Sequence, residues 1–452
     1  MSTSRRWFLK RSGALGVALT GLKPALAAAA PRRRENLGAL VPDRAGRIDL
    51  PEGFEYKLFS TVGEEMHDGF RVPAGHDGMA CFPGQAAGEV ILIRNHELLI
   101  GDDGPFGPGN QLADLLDPAL LYDRGTAGPI QGGTTNLVYD TTSGELKQHY
   151  LSLAGTARNC CGGPTPWDSW ITCEEATYTA GDQFAADHGY NFEVPADAGQ
   201  PVEPVALKAM GRFNHEAVAV DPASGIVYQT EDRDDGLFYR FIPDQPGKLA
   251  RGGRLQCLGI RNATGLDTRN WNEFTRVPSD RPLETWWIDV DDVESPADDI
   301  RYHGRARGAA IFARGEGMWY ADGSIYFACT SGGEKRGGQV WRYDPSPEEG
   351  QKGERRERAK LSLLLESPHR RLIDMCDNLT VAPWGDLILC EDGGGENYLV
   401  GVTENGDIYP VARNAASGSE FAGACFSPDG RTLFCNVQGN GWTLAITGPW
   451  PS

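Results

Sequence analysis

Long apolar runs, helical periodicity and an excess of basic residues are all missing from this 452-residue sequence. Its N-terminal apolar run, residues 14–22, is too short to span a membrane, and no long stretch keeps a period of 3.6 residues. Acidic residues outnumber basic ones by 62 to 43, so the surface is expected to repel nucleic acid and anionic lipid. We therefore expect neither a nucleic-acid partner nor a stable membrane association.

A disulfide framework is also missing, although the chain contains ten cysteines. Half of them lie in apolar, strand-like runs, where a cysteine is usually a small buried hydrophobic residue; these are Cys173, Cys329, Cys390, Cys425 and Cys435. Cys160 and Cys161 differ, because they precede two glycines in a predicted loop. We interpret Cys160 as a candidate metal ligand and Cys161 as a packed thiol, since adjacent strand residues point to opposite faces.

The N-terminus has the order of a twin-arginine export signal. The run Ser-Arg-Arg-Trp-Phe-Leu-Lys at residues 4–10 precedes the apolar run, and Ala-Leu-Ala at residues 25–27 supplies a cleavage site. We predict that residues 1–30 are the signal peptide and cleavage region, read by the twin-arginine export machinery. This route carries folded proteins, often with a cofactor already bound, so a periplasmic or secreted location is expected.

A hairpin-sized unit repeats six times along the rest of the chain. Each unit has a strand with a polar start, a turn, and a second strand with a polar end. The interval between the two polar positions is 14 residues for 160/174, 316/330, 377/391 and 422/436, 15 for 216/231 and 18 for 77/95. Radial repetition of small antiparallel sheets is typical of a β-propeller. We predict an all-β, six-bladed β-propeller that forms a single domain over residues 31–452 with insertions; a β-sandwich would not need one repeat length.

Two stretches fall outside this repeat. Residues 254–302 fit no copy, so an outer strand or an insertion is expected there. The basic run Arg-Arg-Glu-Arg at residues 355–358 is interpreted as a solvated loop.

The repeat brings polar residues together at what we call the mouth, where the six inner strands begin. In a propeller blade the start of the innermost strand and the end of its antiparallel neighbour share one face of the disc. The predicted sets are Asp77 with Asn95 and Glu97, Cys160 with Glu174 and Glu175, Glu216 with Glu231 and Asp232, Glu316 with Thr330, Asp377 and Asn378 with Glu391 and Asp392, and Gly423 with Asn436.

So many facing carboxylates would repel one another unless cations lay among them. Oxygen ligands suit Ca²⁺, and the single thiolate adds a preference for a transition metal, most plausibly iron. The predicted metal ligands are Cys160, Glu174, Glu216, Glu231, Glu316, Asp377, Asn378 and Glu391. Because Glu174, Glu231 and Glu391 recur at one repeat position, a structural role for these three remains the alternative.

Several motifs resemble the PhoX family of bacterial alkaline phosphatases. They are Asn-Cys-Cys-Gly-Gly at residues 159–163 with Thr-Cys-Glu-Glu at 172–175, Gly-Arg-Phe-Asn-His-Glu at 211–216, and Asp-Asn at 377–378 ahead of Leu-Cys-Glu-Asp-Gly at 389–393. The resemblance implies a six-bladed propeller with two irons and several calcium ions around a bridging oxide. It also implies that Cys160 binds iron, that Glu216 and Glu316 bind metal, and that Arg314 holds the substrate phosphate. Full-length members are longer, so the chain resembles a shorter branch.

The sequence as a whole therefore predicts an alkaline phosphatase-type phosphoric monoester hydrolase that uses iron and calcium and acts on a small phosphoester. Neither a Ser-His-Asp arrangement nor a P-loop is present in the sequence, which favours metal-driven hydrolysis. Two alternatives stay open. A calcium-dependent propeller lactonase or phosphotriesterase would not need Cys160, and a non-catalytic periplasmic propeller scaffold would need neither Cys160 nor Arg314.

Overall fold

A computed structural model describes residues 37–451, apart from residues 273, 275 and 280. The predicted export signal lies outside the described residues. Within them the chain forms 26 β-strands, one α-helix and several short 3-10 helices. None of the helices in this part of the chain is long and apolar enough to cross a membrane.

The strands in chain order are β1 (Leu40–Val41), β2 (Ile48–Pro51), β3 (Glu55–Thr61), β4 (His76–Pro83), β5 (Glu89–His96), β6 (Gly132–Asp140), β7 (Glu145–Thr156), β8 (Asn159–Pro164), β9 (Ser169–Glu174), β10 (Asn191–Pro195), β11 (His215–Val220), β12 (Val227–Glu231), β13 (Phe238–Pro243), β14 (Gly253–Ile260), β15 (Leu283–Asp289), β16 (Gly315–Ala321), β17 (Ser324–Cys329), β18 (Gln339–Asp344), β19 (Lys360–Glu366), β20 (Cys376–Val381), β21 (Leu387–Glu391), β22 (Tyr398–Val402), β23 (Ile408–Asn414), β24 (Phe421–Phe426), β25 (Thr432–Val437) and β26 (Trp442–Thr447). Helix α1 is Ile300–Ala306, and the 3-10 helices are Pro108–Asn110, Ala113–Leu115, Pro118–Leu120, Lys208–Met210 and Leu249–Arg251.

Most strands of the six hairpins are buried on both faces, which explains their near-continuous apolar sequences. Every residue of β17 and β21 is buried. Their side chains pack between neighbouring sheets, where one core joins Tyr326 and Val340 to Leu379 and Leu389. The hydrophobic core is therefore distributed between the sheets, with apolar residues on alternate faces of each strand meeting a different neighbour.

The strands form five antiparallel sheets. Their orders are β1-β2-β23-β22-β21-β20, β10-β9-β8, β11-β12-β13-β14-β15-β19-β18-β17-β16, β24-β25-β26-β3 and β4-β5-β6-β7. The inner strands β4, β8, β11, β16, β20 and β24 each lie at a sheet edge. They contact one another in this order and β24 contacts β4, so they close a ring around the mouth.

The prediction of a six-bladed propeller is wrong. The six hairpins lie at the predicted positions, but the structure has four small sheets and one nine-stranded sheet in place of six blades. Strand β15, which lies within residues 254–302, pairs with β14 on one side and with β19 on the other and so joins two predicted blades. The edge strands β11 and β16 of this sheet lie side by side, which leaves it nearly closed. The fold is all-β and propeller-like.

Hydrogen bonds from polar side chains near the ends of the second strands connect neighbouring hairpins of the ring. Thr230 Oγ1 donates to the Glu316 carbonyl oxygen at 2.7 Å, and Thr330 Oγ1 donates to the Cys376 carbonyl oxygen at the same distance. Asn436 Nδ2 donates to the carbonyl oxygen of Asp77 at 2.6 Å. Each bond runs from one hairpin to the inner strand of the next, so these three bonds connect neighbouring hairpins of the ring.

Glycine permits the inner strands to approach closely at two points. A Cβ on Gly317 would lie 2.5 Å from the Asn378 Cα, and a Cβ on Gly423 would lie 2.4 Å from the Asp77 carbonyl oxygen. Gly423 also has a φ of +60°, which glycine adopts without strain. A side chain at either position would push two ring strands apart.

Candidate metal centre

A β-bulge occurs at the same place in all six hairpins. The pairing register shifts between residues 76 and 79, 159 and 162, 215 and 218, 315 and 318, 376 and 379, and 422 and 425. A bulge re-aims side chains and is common beside active sites. The residues that open the bulges are Asp77, Cys160, Glu216, Glu316, Asp377 and Gly423, so five of the six bulges carry a metal-binding type of side chain at the mouth.

A second layer of polar residues forms the rim of the mouth, one residue beyond each second strand. Glu97, Glu175 and Asp392 each donate their backbone N–H to the residue that precedes the inner strand of the same hairpin, at 2.9 Å. Asp232 makes the equivalent bond at 3.1 Å. This repeated backbone bond fixes each rim carboxylate beside its bulge residue.

Eight carboxyl groups and the Cys160 thiol form four overlapping clusters at the mouth. Within each cluster the donor atoms of three side chains lie within 4.8 Å of one another. The clusters are Asp77 with Glu97 and Cys160, Cys160 with Glu175 and Glu216, Glu216 with Glu316 and Asp377, and Asp377 with Asp392 and Glu420. Because consecutive clusters share a residue, the donors form one continuous set.

Glu216 lies at the centre of this set without a hydrogen-bond partner. Its side chain is fully buried, and neither carboxylate oxygen accepts a hydrogen bond from a described residue. A buried, unpaired carboxylate is strongly unfavourable, because it loses its hydration and gains nothing in return. The position suits a residue that ligates a cation.

Burial and repulsion by neighbouring charges raise the pKa values of Glu216, Asp377 and Cys160. Burial and the nearby Asp377 raise the pKa of Glu216 well above its usual range. Burial, followed by the charge of Asp392, raises the pKa of Asp377 to about 7. The pKa of the Cys160 thiol is raised by burial and by Asp77. These groups ionise easily only when cations offset their charge, so the donor set fits divalent or trivalent metal ions.

Two arginines lie between the rim carboxylates. Arg314 donates from Nε and Nη2 to the two oxygens of Asp232 at 2.8 and 2.9 Å, and Nη2 also donates to Glu316 at 2.8 Å. Arg158 donates to Glu97 and, at 2.6 Å, to Glu175. Each arginine directly precedes an inner strand and has a left-handed φ, of +52° for Arg314 and +49° for Arg158. The charge of Glu316 raises the pKa of Arg314, so this guanidinium stays cationic.

The structure brings four of the predicted ligands together and places four others differently. Cys160, Glu216, Glu316 and Asp377 belong to the clusters. Asn378 donates to Asp377 Oδ1 at 2.7 Å and accepts the Gly423 N–H at 2.8 Å, so it connects two ring strands beside the clusters.

Glu174, Glu231 and Glu391 lie outside the four clusters and accept backbone hydrogen bonds within their own sheets. Glu174 accepts the Gly189 N–H at 2.8 Å, Glu231 accepts the Leu237 N–H at 3.0 Å, and Glu391 accepts the Tyr398 N–H at 3.1 Å. Because side chains alternate along a strand, the residue that follows each glutamate points to the rim. In each of the acid pairs 174–175, 231–232 and 391–392, the first residue therefore lies in the sheet and the second lies at the mouth.

Sequence reasoning missed two residues of the centre. Glu420 precedes β24 and lies outside the strand-start and strand-end positions that the repeat defined. Arg158 could have been found, because it stands two residues before Cys160 as Arg314 stands two residues before Glu316. Aligning the repeats on these positions would have predicted a second arginine at the mouth.

A family model described as Alkaline phosphatase PhoX matches residues 35–111 and 124–441. The match spans most of the chain and includes every residue of the four clusters. The chain belongs to the PhoX alkaline phosphatase family. The predicted resemblance is confirmed, and with it the enzyme class: the protein is a metal-dependent phosphomonoesterase.

The solved structure of a PhoX protein has the same fold. The chain resembles Pseudomonas fluorescens PhoX in complex with vanadate, a transition state analogue, with a TM-score of 0.64 and 18% identity over 89% of this chain and 96% of that chain. A gluconolactonase from Xanthomonas campestris aligns with a TM-score of 0.37 and 11% identity over 93% of this chain and 100% of its own. At this score the second likeness supports no argument about function. No protein among curated sequences matches the chain.

Proposed function

We propose that the mouth holds a mixed iron and calcium centre and that this PhoX family member uses it to hydrolyse small phosphomonoesters. The proposed ligands are the members of the four clusters: Asp77, Glu97, Cys160, Glu175, Glu216, Glu316, Asp377, Asp392 and Glu420. The single observation that carries the proposal is the fully buried Glu216 carboxylate, whose two oxygens have no hydrogen-bond partner among the described residues.

The donor types support two kinds of metal. Carboxylate oxygens suit a hard cation such as Ca²⁺, whereas a cysteine thiolate favours a transition metal. Cys160 contributes the one sulfur donor of the four clusters and belongs to two of them. We therefore assign iron to the Cys160 side of the centre and calcium to the carboxylates beyond it.

Bound cations would neutralise phosphate oxygens and lower the pKa of a water nucleophile. The mouth carboxylates alone would repel a dianionic phosphate ester, so substrate binding depends on their being neutralised. Arg314 then supplies the directional contact. Its guanidinium is about one quarter exposed, and its Nη1, which donates to none of the described residues, can donate to a phosphate oxygen. Asp232 and Glu316 hold the guanidinium in place on its other side.

The proposal is tested by elemental analysis combined with hydrolysis of an aryl phosphate at alkaline pH. Purified protein is expected to contain iron and calcium and to release phosphate. Cys160→Ala is expected to lose iron, whereas the matched change Cys435→Ala, at a buried cysteine outside the clusters, should keep it. Folded and active wild-type protein without iron would refute the iron assignment.

We also propose export to the periplasm or the cell exterior by the twin-arginine route, on the strength of the residue 4–10 motif. That route suits a protein that acquires a metal centre before it leaves the cytoplasm. Replacing Arg5 and Arg6 by lysine is expected to retain the protein in the cytoplasmic fraction. The same experiment with Arg11→Lys should leave its location unchanged.

A further inference from the structure

A basic cavity of about 790 Å³ lies in the nine-stranded sheet, away from the mouth. Strand β15 pairs with β14 over residues 285–289 but pairs with β19 only at Leu283 and Glu284. The strands β15 and β19 therefore diverge, and the loop of residues 350–359 covers the gap. The cavity brings together the two stretches that the repeat left unexplained, residues 254–302 and the basic run at 355–358. None of the metal-centre residues lines it.

The charge of the lining is opposite to that of the whole chain. Six basic residues line the cavity, and two acidic residues do. The basic residues are Arg240, Arg254, Arg261, Lys352, Arg355 and Arg358, and the acidic ones are Asp289 and Glu354. In a chain with a formal net charge of −19, this concentration of cations creates a local attraction for anions.

The two acidic side chains of the lining already contact other residues of the lining. Both carboxylate oxygens of Glu354 accept hydrogen bonds from Arg240, a buried residue with 1% side-chain exposure that also donates to Glu349 at 2.5 Å. Asp289 Oδ1 accepts the Gln256 amide at 2.7 Å and lies 3.8 Å from Arg254. Because these contacts occupy the acidic side chains, the basic residues at the outer edge of the cavity have less nearby negative charge than those at its floor.

At the outer edge, Lys352, Arg355 and Arg358 make no ion pair with a carboxylate of a described residue. Among the described residues, the Arg358 guanidinium donates only to the Thr285 carbonyl oxygen, at 3.3 Å. Arg261 is different, because it pairs with Glu284 at 2.6 Å. Three like charges at one opening repel one another, and an anion between them would remove that repulsion.

Two tryptophans give the cavity flat apolar surfaces. Trp287 stacks on the Arg240 guanidinium, with 4.4 Å from the carbon of the guanidinium to the ring centroid. Trp286 is 37% exposed, which is unusual for so large an apolar side chain. The cavity is much larger than inorganic phosphate requires and falls in the range of small-molecule sites.

We propose that this cavity binds an organic polyanion of nucleotide size, with its anionic groups on the outer arginine and lysine side chains and a planar ring against Trp286. The site is separate from the metal centre, so its occupancy does not depend on the mouth residues. The proposal does not rest on the proposed metals.

Isothermal titration with the β,γ-methylene analogue of ATP tests the site, because its terminal P–C bond resists hydrolysis. The wild-type protein is expected to bind it saturably in this cavity, in addition to any binding of its terminal phosphonate at the mouth. Arg254→Glu with Arg355→Glu should weaken binding by about tenfold or more, since two favourable charges become repulsive, and should leave kcat/KM for an aryl phosphate unchanged. Lys352→Glu alone provides a milder variant in case the double variant misfolds.

Matched controls distinguish binding in this cavity from binding at the mouth. They also distinguish the contribution of the ligand's planar ring from that of its anionic groups. Arg44→Glu with Arg431→Glu, at exposed arginines elsewhere, should bind like wild type. Asp377→Asn should remove hydrolysis and keep binding. Trp286→Ala should weaken binding of the ATP analogue more than binding of methylenebisphosphonate, which has no ring. Binding that is absent in wild type, unaffected by the charge reversals, or lost only in Asp377→Asn would overturn the proposal.

Discussion

Glu216 combines full burial with two unpartnered carboxylate oxygens, and it belongs to two of the four donor clusters. The bulge at the start of β11 turns this side chain to the mouth, away from the sheet. An ionised carboxylate in this environment destabilises the fold when no cation is bound, and it can bind a cation strongly when one is present. Its role can be tested by removing the charge while keeping the shape.

Glu216→Gln is expected to lower phosphatase activity by about a hundredfold or more, because a neutral amide is a much weaker metal ligand than a carboxylate. The bound metal measured by elemental analysis should fall in parallel. Glu231→Gln is the matched control, because Glu231 is equally buried in the same hairpin but lies outside the clusters. Full metal content in Glu216→Gln would contradict the assignment of this residue as a ligand.

His188 provides a separate test by pH. It is fully buried between Glu174, 2.6 Å from Nδ1, and Asp123, 2.9 Å from Nε2. Burial by itself would lower the pKa of His188. The charge of Glu174 and the hydrogen bonds to Asp123 and Glu174 outweigh burial and raise this pKa to about 9. A histidine pKa raised above the unfolded value of about 6.5 stabilises the fold at low pH, and that stabilisation is lost as pH rises through the folded pKa.

We therefore expect the difference in unfolding free energy between wild type and His188→Gln to shrink by roughly 3 kcal/mol between pH 6 and pH 10. Urea unfolding at several pH values measures this difference. His303→Gln, at an exposed histidine, is the matched control. A His188→Gln difference that does not change with pH would show that the imidazole is neutral in the fold.

At the scale of elements, the hairpin with a bulge is the unit that builds the centre. Each copy supplies a bulge residue and a rim residue, and in three copies a polar side chain near the end of the second strand donates a hydrogen bond to the backbone of the next copy. Thr330 shows the last role most simply, because its hydroxyl donates to the Cys376 carbonyl oxygen of β20 at 2.7 Å. The strand that carries Asp377 is thereby fixed to its neighbour.

Thr330→Val is expected to reduce the free energy of unfolding by about 1 to 2 kcal/mol, since a buried hydrogen bond is lost at nearly constant volume. Thr380→Val is the matched control, because the Thr380 hydroxyl is buried without a hydrogen-bond partner among the described residues. That change should be neutral or slightly stabilising. Equal destabilisation by the two changes would mean that the hydrogen bond of the Thr330 hydroxyl does not stabilise the contact between the two hairpins.

At the scale of the whole molecule, six hairpins direct their acidic ends to one mouth, and the ring closes only if these charges are offset. Arg158 and Arg314 offset part of the charge, and the pKa values of the remaining carboxyl groups are raised. Bound cations are expected to supply the rest. The metal centre should therefore stabilise the ring as well as catalyse the reaction.

Removing the metal with a chelator is expected to lower the melting temperature by at least about 5 °C, because ligands that bind only the folded state stabilise it by mass action. Thermal unfolding before and after chelation measures the shift, and adding back iron and calcium should reverse it. The Glu216→Gln protein should show a smaller shift, because it holds less metal at the start. An unchanged melting temperature in chelated, metal-free protein would separate catalysis from stability.

Local patterns predicted much of this protein. Apolar alternation and turn residues are encoded within a few positions, so the six hairpins, the placement of Cys160, Glu216, Glu316 and Asp377 at the mouth, and the family motifs were all readable from the sequence. The prediction that the two carboxylate-bearing ends of each hairpin converge holds for the rim acids Glu175, Asp232 and Asp392.

Pairing and register were decided only by the tertiary structure. Strand β15 joins two hairpin units because residues 254–302 find partners on both sides, which no local pattern records, and the predicted six separate blades do not form. Which residue of each acid pair lies in the sheet and which lies at the mouth depends on cross-strand register, because a shift of one residue moves every side chain to the opposite face of the strand. The approach of Glu420 to Asp377 and the basic cavity likewise join residues far apart in the chain, and only packing could bring them together.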